Sequence, residues 1–152
     1  MIAARCNVPM QELTPLMEEI LASGGTVELT ATGSSMRPML LDRVSKVRLA
    51  APTELRRGDI PLYRRDNGGY VLHRIIAVEG DTYTLCGDAQ WHPEQGIRKD
   101  QILAVVTDFA RRDRWISCDH TLYIFYWHCW VAIRPVRHLV FGGFRRLRRM
   151  LK

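Results

Sequence analysis

The chain of 152 residues has no CxxC pair, no apolar run as long as a bilayer is thick, and no acidic residue after Asp119. Each absence excludes something. Cys6, Cys86, Cys118 and Cys129 stand too far apart for a zinc ribbon or a redox pair. They read as reduced thiols of a cytoplasmic protein. Cys118, His120, His128 and Cys129 fit no usual zinc spacing, so neither a metal nor a cofactor is expected. The longest apolar stretch, 122–133, contains His128 and falls short of the roughly 18–20 residues that span a membrane. The N-terminus lacks a basic start followed by an apolar run, so no cleavable leader is expected. Internal repeats and low-complexity segments are also absent.

What remains is a globular composition. Hydrophobic residues make up 47% and charged residues 25%, a balance that excludes disorder and supplies a core for one folded unit. The net charge of +6 is unevenly placed. Residues 121–152 hold seven Lys/Arg and no acid, which leaves fifteen basic against sixteen acidic residues in the first 120. The basicity belongs to the tail.

Leu13, Leu16, Met17, Ile20 and Leu21 share one helical face, Thr14-Pro15 with Glu18 forms a start signal, and Gly24-Gly25 a stop. A helix over 14–23 follows. Residues 26–30 alternate as a strand, and further strands are predicted over 45–49, 59–64, 70–78, 82–86 and 102–109. Asp66-Asn67-Gly68-Gly69 marks a hairpin turn, 87–99 a polar loop, and Pro61 an edge strand or a bulge. The fold class is mainly β (α+β), with a β-rich domain over 1–119 and a basic, aromatic, amphipathic helical tail over 120–152.

That tail has two readings. Aromatic rings with uncompensated arginines suit the interface of an anionic membrane, with Trp127, Trp130, Arg134, Arg137, Arg145, Arg146, Arg148 and Arg149 in contact. Alternatively Tyr123, Phe125, Trp127 and Trp130 pack on the β-domain. Nucleic acid is not expected, because the body has no basic excess and no binding motif.

The chemistry concentrates in Thr32-Gly33-Ser34-Ser35-Met36-Arg37-Pro38-Met39-Leu40, with His73-Arg74 downstream. A serine hydroxyl becomes a nucleophile only when a neighbouring base takes its proton. Gly33 permits a sharp turn, which can expose Ser35 and aim amides at a developing oxyanion, so Gly33, Ser34 and Met36 are assigned to that loop. A polar surface turn is the plain alternative.

Four ordered blocks resemble the type I signal peptidase and LexA-like serine peptidase superfamily. They are Gly33–Leu40 (the nucleophile box), Leu55–Tyr63 with its Arg-Gly-Asp, Leu72–Asp81 (the base box) and Tyr83–Asp88 with its Gly-Asp. Together they cover roughly residues 26–108. The resemblance implies a β-rich peptidase fold, Ser35 as nucleophile and His73 as base, in the Ser/His (endoplasmic-reticulum-type) branch where most bacterial members carry lysine. It further implies cleavage after small residues. Asp88 holds the Gly-Asp position and is either the acid that orients His73 or a turn cap. Glu94 falls, without gaps, on the last acid of the family pattern. Arg74 serves structure or lowers the imidazole pKa, and Asp59 fixes a turn. The spanning helix that signal peptidases carry before the serine is replaced by an amphipathic one. The expected function is thus a cytoplasmic, membrane-peripheral endopeptidase acting on a leader, a precursor peptide or a partner protein. A catalytically idle binding or membrane-docking module is the alternative.

Overall fold

The computed structural model describes residues 8–137 and 139. Its first element is helix α1 (Met10–Ala22). It begins four residues before the Thr14-Pro15 signal, because Pro9 supplies the fixed φ of a helix entry. Pro15 therefore lies inside, where its missing N–H leaves one turn a backbone bond short. In that turn the Thr14 hydroxyl donates to the Met10 carbonyl at 2.7 Å. The helix ends as expected, with Gly25 N–H bonding back to the Ile20 carbonyl and Gly24 at φ +80°.

The rest of the body is antiparallel sheet, so the chain is mainly β with a helix at each end. Strands β1 (Val27–Thr30), β2 (Lys46–Ala50), β3 (Pro61–Arg64), β4 (Tyr70–Leu72), β5 (Arg74–Glu79), β6 (Thr82–Cys86), β7 (Glu94–Arg98), β8 (Ile102–Arg111) and β9 (Arg114–Ser117) precede helix α2 (Thr121–Ala132). One sheet runs β1-β2-β8-β3-β4, with β9 on the end of β8; the other is β5-β6-β7. The ten-residue β8 organises the first sheet by pairing β2, β3 and β9.

Two expectations are corrected. The single strand expected over 70–78 is two, because the chain leaves one sheet at Leu72 and enters the other at Arg74. Both halves share one sequence pattern, and only the crossing separates them. The loop over 87–99 contains β7, whose burial is confined largely to Ile97, so no alternation betrays it. Of the two readings of Pro61 the bulge holds: β3 is an interior strand that opens with Pro61, and its register against β8 shifts at Leu62/Tyr63.

Two apolar clusters hold the layers. Met17 and Leu21 of α1 join Val47, Leu62, Ala104 and Phe109 of the first sheet, Met36, Met39 and Leu40 of the serine loop, and Tyr123 and Trp127 of α2. Leu55, Tyr63, Ile75, Tyr83, Leu85, Ile97 and Ile102 form the second. The compositional break at residue 120 therefore does not divide the packing, since α2 is part of the first core. Gly58 explains how α2 comes so close. It sits at φ +101°, and a Cβ there would collide with the Trp127 indole.

Gly58→Ala should thus cost about 1–3 kcal/mol from overpacking, beyond the strain of its positive φ. Gly68→Ala, at φ +86° but facing open space, should lose only the backbone contribution. Urea midpoints of the two variants, compared with wild type, check the difference.

Candidate active site

The serine loop is short of regular structure but heavily tied. Ala31 N–H donates to Ser45 O and Arg43 N–H to Ala31 O, both at 2.8 Å, while buried Ser45 accepts Leu41 N–H on its hydroxyl. Arg111 of β8 donates to the Pro38 and Met39 carbonyls, and Met36, Met39 and Leu40 anchor the loop in the core. Ser35 is fixed through its own carbonyl, which accepts Ala89 N–H at 2.8 Å. Gly87 makes this approach possible, because a Cβ there would lie 2.6 Å from Ser35 O. The Ser35 side chain is half-buried on a cavity of about 310 Å³.

His73 lines the same cavity. It is the single residue between β4 and β5, and it is 1% exposed. Its Nδ1 lies 3.0 Å from the Tyr63 hydroxyl and 3.4 Å from Glu94 Oε1. Arg65 grips the same carboxylate with both Nε, at 2.9 Å, and its terminal nitrogen. Arg65 holds the Glu94 carboxyl below the usual range, so it stays ionised and only accepts. Burial, with the Glu94 charge nearby, pushes the Tyr63 phenol up, so it stays protonated. Glu94 and the phenol oxygen favour a proton on Nδ1, which leaves the Nε2 lone pair free. Burial lowers the His73 pKa to about 4; Glu94 opposes the shift and Arg65 adds to it. The imidazole is therefore neutral at physiological pH. No hydrogen bond joins Ser35 to His73 among the described residues.

Asp88, the other candidate acid, is occupied elsewhere. Arg74, fully buried, donates to it from Nε at 2.8 Å and from a terminal nitrogen at 2.7 Å. The same guanidinium reaches Gly58 O at 3.0 Å, Tyr123 Oη at 2.8 Å and Met39 Sδ at 3.1 Å. Arg74 thus serves structure, and the cation that depresses His73 is Arg65. Asp59 caps its turn by accepting Arg56 N–H at 2.7 Å. Gly33 leaves the oxyanion set, since Asp42 takes its N–H at 2.8 Å. The amides of Ser34, Ser35 and Met36 meet no acceptor among the described residues. Tyr63 and Arg65 escaped the sequence reading, although Arg65 flanks the expected hairpin whose closure turns β4 back toward β3.

The tail residues divide. Trp127 is buried on Gly58, Trp130 Nε1 donates to Asp88 O at 3.0 Å, and Arg134 donates to Trp91 O at 2.7 Å. Arg137 is buried with its guanidinium 4.1 Å from the Trp130 ring centre. These four face the domain, which corrects their assignment to a membrane. Arg145, Arg146, Arg148 and Arg149 lie outside the described residues. No group of three His, Cys, Asp or Glu among the described residues is placed to hold a metal.

Titration of His73 by NMR should give an apparent pKa near 4. Arg65→Gln should raise it and Glu94→Gln should lower it, because each removes the opposite charge. A folded pKa below the unfolded value of about 6.5 means stability is flat above that pH and falls between about 6.5 and 4, by on the order of 3 kcal/mol. Asp88→Asn, which strands the Arg74 charge, should cost about 3–5 kcal/mol at pH 7 in urea unfolding. Neither a protein-family model nor a curated protein matches the chain, so its chemistry rests on the arrangement of these residues.

Proposed function

We propose that the protein is a serine endopeptidase of the signal peptidase and LexA-like kind, cleaving a leader or precursor peptide in the cytoplasm. The observation that carries this reading is the pairing of Ser35 with a buried, neutral His73 on one cavity, the imidazole braced at Nδ1 by Tyr63 and Glu94. Ser35 Oγ attacks the scissile carbonyl as its proton passes to His73 Nε2. The imidazolium is stabilised by Glu94, which is the orienting acid in this scheme, while Asp88 keeps the fold. The amides of Ser35 and a neighbour, Ser34 or Met36, receive the oxyanion. The C–N bond then breaks, His73 returns the proton to the leaving amine, and water repeats the sequence on the acyl-enzyme.

The cavity also suits an extended peptide. Strands β1 and β4 are the two ends of the first sheet, and Leu29, Thr30 and Ala31 line the cavity together with Tyr70, Val71 and Leu72. Among the described residues each of these strands has one edge without a strand partner, available for main-chain pairing. Leu40, Val47 and Leu62 give the cavity apolar walls for a small side chain before the cut. The setting is peripheral to a membrane, and among the described residues no helix is long and apolar enough to cross one.

Incubation with candidate precursors encoded beside its gene, read by mass spectrometry, tests the reading. Wild type should cleave; Ser35→Ala, melting normally, and His73→Ala, less stable but still folded, should each lower the rate about 10³-fold or more. The acid limb of kcat/KM should fall near pH 4, where His73 protonates. Cleavage by Ser35→Ala at the wild-type rate overturns the mechanism, and precursor binding without cleavage favours the idle module.

A further inference from the structure

Helix α2 is apolar on both sides, and among the described residues only one side is packed. Tyr123, Trp127 and Trp130 face the β-domain, yet the opposite face carries Leu122 and Phe125, which are 73% and 69% exposed. Cys129 is exposed on the same side. Ile133, Val136 and Leu139 continue the stripe, each about half exposed or more. The bond from Arg137 N–H to Ile133 O carries the helical spacing past the end of α2. A helix that is apolar all round belongs in contact with something on all sides. An exposed apolar stripe of this length marks an interaction surface.

The charge of the same segment says what covers it. Residues 121–152 hold seven basic and no acidic residues, and five of the seven fall in the final eight positions. A second copy of the chain would bring the same uncompensated charge to the contact and be repelled. The remainder of the chain, at a net of −1, has an acidic excess of a single charge, too little to offset it. An anionic bilayer surface complements both properties at once, taking the apolar face at the acyl boundary and the cations at the headgroups. We infer that α2 and the turn after it dock the protein on an anionic membrane through the Leu122, Phe125, Ile133 and Val136 face. This face is opposite to the tryptophans that the sequence nominated, and the inference stands without the peptidase reading.

Full-length protein should sediment with phosphatidylcholine vesicles containing phosphatidylglycerol and stay in solution with phosphatidylcholine alone. Leu122→Ser combined with Phe125→Ser, at exposed positions that leave the core intact, should weaken partitioning about tenfold or more. Salt should weaken it in wild type as well. Should the double variant melt early, Arg148→Gln with Arg149→Gln gives the same test through charge, again with reduced sedimentation expected. Equal sedimentation with both vesicle types, or an undiminished double variant that is folded, overturns the inference. So does a wild-type dimer in analytical ultracentrifugation that the double variant converts to monomer, since the face would then belong to a second copy.

Discussion

A guanidinium removed from water carries a charge that low-dielectric surroundings tolerate only if every donor is matched. Arg74 meets that demand with a bidentate Asp88, the Gly58 carbonyl, the Tyr123 hydroxyl and the Met39 sulfur. These partners come from the β6–β7 turn, the turn before β3, α2 and the serine loop. The requirement to satisfy one buried cation therefore sets the relative positions of four segments distant in sequence. Trp130, donating to the backbone of Asp88, and Ala89, donating to Ser35 O, extend the arrangement to the helix and the nucleophile. The pair gives geometry more than stability, because buried ion pairs often return little net free energy.

Beside this structural pair lies a second set of charges tuned differently. Arg65, Glu94, Tyr63 and His73 form a chain in which the carboxylate is neutralised from one side and faces the imidazole from the other. Had Glu94 lacked Arg65, its full charge would have drawn His73 toward the protonated form. With Arg65 present, burial prevails and the imidazole stays a base. Two arginines thus separate two tasks: one fixes the framework, the other offsets Glu94 so that burial keeps the imidazole neutral.

The sequence was most legible where a residue's meaning is local. The hairpin at 66–69 and the stop at Gly24-Gly25 follow from glycine and asparagine conformations that need no distant partner. Legibility failed where burial depends on elements far along the chain. The crossing between sheets at His73 leaves no mark, since Val71 and Leu72 before it and Ile75 and Ile76 after it are equally apolar. Tyr63 reads as an ordinary strand residue and Arg65 as a polar residue beside a turn until β7 brings Glu94 near them. Asp88 and Glu94 were both plausible partners of His73, and only the position of Arg74 assigns them different neighbours. In the tail, composition named the aromatic residues as contacts but could not say which face each would take. The larger rings turned inward, where α2 needs volume to fill the space over Gly58.

The link from the first sheet into the second is one residue long, and it has consequences for how this chain can change length. Side chains alternate along a strand, so adding or removing one residue at position 73 would reverse every position of β5. Arg74 would swing to the opposite face and Ile75 into its place, dismantling both the buried pair and the second apolar cluster. Insertions at the 66–69 turn or at Glu79-Gly80-Asp81 leave that alternation untouched. Length variation among descendants of this chain is therefore confined to the outer turns, while the interval from Tyr70 to Val78 is held to a fixed count.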